Sequence, residues 1–210
     1  MKALETLERV AGKVAPGPLP SFIEAHILMA LETISLRAVG RARLSTILGL
    51  GEGVTRTLIR HLKAEGLIEV SRLGITLSES GRSVLEEIRS KISSGLKVPK
   101  SPLTVGTHNV AVLVKGASKP VRYGVEQRDA AIKVGAEGAT TLIFKDNRLV
   151  LPGVDEEALQ DVESIYRILI SNLKPEENDV IIIGSAKDER TAELAAKTAA
   201  LKLTKCSLEE

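Results

Sequence analysis

Apolar residues at Leu4, Leu7, Val10, Ala11 and Val14 recur at helical spacing until Pro16, Gly17, Pro18 and Pro20 break the pattern. A second helical run follows, with Ser21 positioned to cap it and Phe22, Ile23, Ile27, Leu28 and Leu31 on its inner side. The pattern continues through "RARLSTILGL" into "GVTRTLIRHLKAEGLIEV", Gly53 to Val70. There Val54, Leu58 and Leu62 share one narrow stripe, while Arg56, Arg60 and Lys63 fall together on the opposite side. After Lys63 the period becomes strand-like: "LIEV", a four-residue connection "SRLG", then "ITLS" predict a small β-hairpin. A final amphipathic helix carries Val84, Leu85, Ile88 and Ile92, and the Ser, Gly and Pro residues of "SSGLKVPKSPLT" predict a linker.

The second half reads as β-α-β-β-α-β-α. "NVAVLVKG" and "DVIIIGS" are strands, "ATTLIFKDNRLVLPG" is a hairpin turning at Asp146 and Asn147, and "DEEALQDVESIYRILISNL" is a long amphipathic helix. "VEQRDAAIKVGA" and "DERTAELAAKTAALKL" supply the other helices. Split β-α-β units in this order predict a ferredoxin-like α+β sandwich. The expected organisation is therefore α+β, with a winged helix-turn-helix over 1–97 and an α/β sandwich over 98–210.

Composition sharpens this division. The chain has 29 Lys+Arg against 27 Asp+Glu, a net +2, but residues 1–97 hold 14 basic and 10 acidic residues (+4) and the remainder 15 and 17 (−2). Between Arg37 and Arg72 seven basic residues face only Glu52, Glu65 and Glu69, a local excess suited to a polyanion. No apolar run approaches the roughly 20 residues that span a bilayer, and no secretory segment precedes the first helix, so a soluble cytoplasmic protein with no membrane partner is expected. Cys206 is the only cysteine, which excludes an internal disulfide and a thiolate metal cluster. His26, His61 and His108 are scattered without metal-ligand spacing, and His61 borders the core stripe of its helix, where a packed, hydrogen-bonded histidine is expected. His26 invites the same reading.

The motifs "V-T-R-x-L-x-x-L-x-x-x-G-L-I-E" and "I-T-L-S-E-S-G" stand in the order seen in the winged-helix domains of prokaryotic transcription regulators, which this half resembles. The resemblance implies that Thr55, Arg56, Ile59 and Arg60 approach base edges in the major groove of duplex DNA, that Lys63, Arg41 and Arg43 meet phosphates, and that Arg72 at the wing tip reaches the minor groove or the backbone. Two plainer readings stand beside it: charged residues on an amphipathic helix are often only a solvated face, and winged helices also dock proteins.

In the second half, the helical count from Val121 places Arg128 within the stripe of Val125 and Ile132. An arginine on an apolar face requires a carboxylate, such as Asp129 or Glu126, or else grips a bound anion bidentately. Thr140 and Thr141 offer hydroxyls, and Ser185 lies where a buried strand runs into a helix N-terminus, a geometry that favours anions. Ser185 with Asp188 alternatively forms a capping pair. A small anionic metabolite bound by Arg128, Asp129, Thr140, Thr141 and Ser185 is the ligand expectation. No paired nucleophile and base, Walker motif or full dinucleotide fingerprint is present, so neither an enzyme nor a cofactor is expected.

The whole chain resembles an archaeal family of winged-helix proteins joined to a C-terminal domain of unknown function, through "NVAVLVKG", "GVEQRDAAIKVGAEGATTLIFKDNRLVLPG" and "DVIIIGSAKDERTAELAA". The resemblance implies transcriptional regulation. The arrangement is also similar in topology to one-component regulators whose ferredoxin-like module senses a metabolite and mediates pairing. A homodimer binding a palindromic site is expected, with the helices at Met1 to Val14 and Ser83 to Ile92 offering apolar faces for pairing.

Overall fold

The computed structural model describes residues 1–12, 19–154 and 162–209. The end of the first stripe at Val14, the start of the Pro-Gly break and the opening turns of the long helix expected from Asp155 lie outside the described residues. The chain divides into two compact units, Met1–Ile88 and Arg89–Glu210. The expected linker and the boundary near residue 97 instead fall within the second unit, because Leu96, Lys97 and Val98 form a strand.

The first unit contains α1 (Lys2–Ala11), α2 (Glu24–Leu36), α3 (Arg41–Leu48), α4 (Glu52–Ala64), β1 (Ile68–Ser71), β2 (Gly74–Leu77) and α5 (Glu79–Arg89). Leu58 and Leu62 of α4 are buried with Leu4, Leu7 and Val10 of α1 and Ile27, Leu28 and Leu31 of α2, so the aliphatic stripes of three helices form the centre of the unit. α2 starts at Glu24, not at a Ser21 cap; His26, at its third position, reaches back to accept the Ile23 amide N–H at 3.2 Å. Between α3 and α4 the chain turns at Gly49, whose φ of 65° is left-handed. Ser45 Oγ donates to the Leu50 carbonyl at 2.6 Å, and the Leu50 amide returns to the Ser45 carbonyl, which fixes the turn.

The hairpin pairs Ile68 with Leu77 and Ser71 with Gly74, leaving a two-residue tip at Arg72 and Leu73. Gly74 is required there: its φ is 125°, and a Cβ would come within 3.2 Å of the Val39 backbone, which bridges Ile75 as a third rung. Ser78 Oγ accepts the Gly81 amide at 3.0 Å at the start of α5, and Ile92, expected on that helix, lies beyond it, where it bridges Val114 within the second unit. Most of the apolar residues of α1 and α5 expected to pair between protomers are already covered: Leu4, Leu7, Val10, Leu85 and Ile88 are buried, and Val84 is half-buried.

The second unit is a five-stranded sheet in the order β3-β4-β7-β5-β6, every neighbouring pair antiparallel. Its strands are β3 (Leu96–Val98), β4 (His108–Val114), β5 (Gly138–Lys145), β6 (Arg148–Val150) and β7 (Val180–Ala186), and its helices α6 (Val125–Lys133), α7 (Glu163–Leu173) and α8 (Glu189–Glu209). β7 inserts between β4 and β5, which α6 joins, so a split β-α-β connection is present, but β6 lies at the sheet edge and not between β4 and β5, which departs from the expected ferredoxin-like order. The expected hairpin turns at Asp146 and Asn147, both with positive φ.

Helices cover both faces of the sheet. On one face Ala111, Leu113, Leu142, Phe144, Ile181 and Ile183 pack with Ile165 and Leu169 of α7. On the other, Val110 and Ala186 pack with Ala131, Ala192 and Ala195 from α6 and α8, a core built mostly of methyl groups. Gly184 permits that closeness, since a Cβ there would lie 2.3 Å from the Ala192 carbonyl oxygen.

Candidate nucleic-acid interface

The α4 stripe that enters the core leaves Arg56, Arg60 and Lys63 exposed on the same helix. Arg41 and Arg43, in the first turn of α3, are also exposed, as is Arg72 at the hairpin tip. None of these six cations has an ion-pair partner among the described residues. By contrast Arg9, on α1, is paired with Glu65 at 3.2 Å. The surface of the helix-turn-helix and wing is thus left with positive charge that no carboxylate among the described residues pairs with. The tip itself is ordered by Ser71, whose Oγ accepts the Leu73 amide at 3.1 Å and donates to the Gly74 carbonyl at 3.2 Å.

Two members of the expected base-reading set sit differently. Thr55 is fully buried, and its Oγ1 donates to the Gly51 carbonyl at 3.1 Å, so it closes the turn before α4 and faces away from any partner. Its position one turn beyond the N-cap Gly51 lets the hydroxyl share the Gly51 carbonyl with the Thr55 amide, which donates to it at 2.9 Å. Ile59 is half-buried at the edge of the cationic face. His61 is a core residue: Nδ1 lies 2.8 Å from the Val10 carbonyl oxygen, and the ring meets Phe22 edge-on, 5.5 Å between centroids.

The five residues expected to hold an anion in the second unit are not brought together. Arg128 is exposed and pairs with the equally exposed Asp129 at 3.3 Å, so it lies on no apolar face. α6 begins only at Val125, and its buried side consists of Gln127, Ala130 and Ala131, while Val125 and Ile132 face outward. Small side chains are what the tight packing against α8 admits, and a stripe traced through the larger residues therefore picked the wrong face. Thr140 lies on the α7 side of the sheet and donates to the Leu103 carbonyl at 2.6 Å; Thr141, its neighbour in β5, points to the α6 side.

Ser185 is fully buried within β7, where its Oγ donates to Asn109 Oδ1 at 2.7 Å and accepts the Val105 amide at 3.4 Å. It belongs to a structural network and not to a helix cap. The cap of α8 is Asp188, which accepts the Thr191 amide at 3.0 Å and the Thr191 hydroxyl at 2.7 Å. The hydroxyl, then the amide, hold the Asp188 carboxyl below its ordinary value.

The structure also buries polar residues outside the expected set, Asn109, Gln127, Asp179 and Lys197 among them. Asn109 interrupts an otherwise apolar strand, which was the available signal. Lys197 is covered along α8 and pairs with Glu193 one turn earlier. Among the described residues no group of three or more His, Cys, Asp or Glu is placed to hold a metal ion, and no helix is long and apolar enough to cross a membrane.

Residues 26–92 match the family described as the CggR N-terminal DNA binding domain, and residues 105–203 match the family described as a domain of unknown function (DUF4443). A hypothetical protein from Pyrococcus horikoshii OT3, of known structure, is 28% identical to this chain, with a TM-score of 0.73. The similarity covers 90% of this chain and 99% of that one. No curated protein matches.

Proposed function

We propose that the protein is a transcription regulator that binds duplex DNA through its first unit and acts as a homodimer, with the second unit as its sensing or pairing module. The observation that carries this reading is the set of unpaired, exposed cations Arg41, Arg43, Arg56, Arg60, Lys63 and Arg72 on one helix-turn-helix and wing. The match of residues 26–92 to a DNA-binding domain supports it.

In this reading α4 enters the major groove. Arg56 and Arg60 present donors to base edges, guanine above all, since a guanidinium can meet its two major-groove acceptors together. Ile59 offers apolar contact to a thymine methyl, and Lys63, Arg41 and Arg43 bind phosphates. Arg72 reaches the minor groove or the backbone beside it. Thr55 drops out of the contact set and acts only by shaping the turn.

The experiment is the salt dependence of binding to duplex DNA of random sequence. Each phosphate neutralised contributes about 0.9 to the slope of log affinity against log salt. A slope of several units is expected, and a slope near zero overturns the proposal in favour of a protein-docking winged helix. Sedimentation as a monomer at working concentration would remove the dimer.

A further inference from the structure

Among the described residues, two buried side-chain atoms lack any hydrogen-bond partner, Thr141 Oγ1 and Gln127 Oε1. Both belong to one place. Gly124, with a φ of 73°, is the N-cap of α6, and a Cβ on it would stand 3.0 Å from Thr141 Oγ1. Gln127 is the third residue of the same helix. The residues themselves are 3% and 5% exposed, so water does not account for either atom from outside. No side chain caps the first turn of α6, and Val125 and Glu126, which carry its first amides, are at the surface. Orphaned polar atoms beside an uncapped helix start are the complement of a missing polar group.

We propose that the first turn of α6 binds a protonated oxyanion of the phosphate class. The amides of Val125, Glu126 and Gln127 and the Thr141 hydroxyl donate to its unprotonated oxygens, with the field of the helix terminus in support. Gln127 Oε1 can only accept, so it selects for an anion that still carries a hydroxyl. Inorganic phosphate near neutral pH has one; sulfate, alike in size and charge, has none. Arg122, two residues before Gly124, is an exposed cation close along the chain. This site replaces the one sought at Arg128 and lies on one side of the sheet, without Thr140 or Ser185.

The test is an amide NMR titration of the full chain with inorganic phosphate, glycerol phosphate and sulfate at matched ionic strength and about pH 5.5, where both phosphates keep a P–OH. Saturable movement of the Gly124 to Arg128 amides with either phosphate probe and not with sulfate is expected, and the stronger probe tells a free ion from a phosphorylated metabolite. Thr141→Val and Gln127→Leu should each weaken that response at least tenfold. Both should fold as stably as the parent, because each replaces an unpaired polar atom with an apolar one. No saturable response, an equal response to sulfate, or a response unchanged in both variants overturns the proposal. No DNA is present in the measurement, so its failure leaves the reading of the first unit standing, and loss of DNA binding leaves this site standing.

Discussion

His61 donates from Nδ1 to the main-chain oxygen of Val10, 2.8 Å away, and so joins the helix that carries the exposed cations to the first helix of the chain. A carbonyl only accepts, so this nitrogen carries the ring proton. His61→Ala should destabilise the protein by about 2–3 kcal/mol, from the orphaned carbonyl and the space left beside Phe22. Denaturant unfolding measures the loss. The salt slope of DNA binding should be unchanged, because His61 is buried on the inner side of α4.

Thr55 and Arg56 are neighbours with opposite roles. Thr55→Val should leave the slope of log affinity against log salt intact while costing about 1 kcal/mol of stability, the value of a hydrogen bond at the turn. Lys63→Ala should remove up to about 0.9 from the slope, whereas Arg56→Ala and Arg60→Ala should each weaken binding to a preferred site by about 1–3 kcal/mol, and all three should leave stability within about 0.5 kcal/mol. Fluorescence anisotropy across a salt series separates the two outcomes.

Asp188 makes the stability of α8 depend on acid. Its carboxyl is held low by the Thr191 hydroxyl and amide in the folded state, so its contribution is fully present above the ordinary carboxylate range and is lost as pH falls through the depressed folded value. Asp188→Ala should therefore cost about 0.5–1 kcal/mol at neutral pH, the lower part of the range for a helix cap since the side chain is half exposed. Thermal unfolding curves of parent and variant should converge in strong acid.

Two glycines should respond oppositely to alanine. A Cβ at Gly184 would lie 2.3 Å from the Ala192 carbonyl oxygen and 2.7 Å from the Ala196 amide, both helix backbone, so Gly184→Ala should cost about 3 kcal/mol or more. A Cβ at Gly53, within α4, meets nothing within 4 Å, so Gly53→Ala should stabilise the protein by up to about 1 kcal/mol. Differential scanning calorimetry of the pair decides both.

The winged helix was legible because its signals are local. The Leu58 and Leu62 stripe dictates which side of α4 turns inward, and that alone sends Arg56, Arg60 and Lys63 outward. Thr55 was misplaced because a threonine one turn into a helix bonds to a backbone carbonyl, which the spacing of apolar residues does not register. The strand at Leu96 to Val98 was hidden by the Ser, Gly and Pro residues around it, since three residues on a sheet edge have too little alternation to read. The face of α6 was misread for a different reason. Alanines bury as well as valines do when the opposing helix comes close, and only the glycine at 184 hints that it does. The pairing of Ser185 with Asn109 links residues far apart in the chain, and no periodicity foretells it.

The cations of α3, α4 and the wing have a consequence for the domain before it meets anything. Like charges gathered on one small unit, outnumbering the carboxylates beside them and paired with none among the described residues, repel, and that repulsion works against the folded state. A polyanion relieves it, so DNA should act on this unit as a folding ligand whose presence raises the temperature of unfolding. The same logic makes the natural sequence a compromise: neutral residues at these positions would give a sturdier domain with nothing to bind.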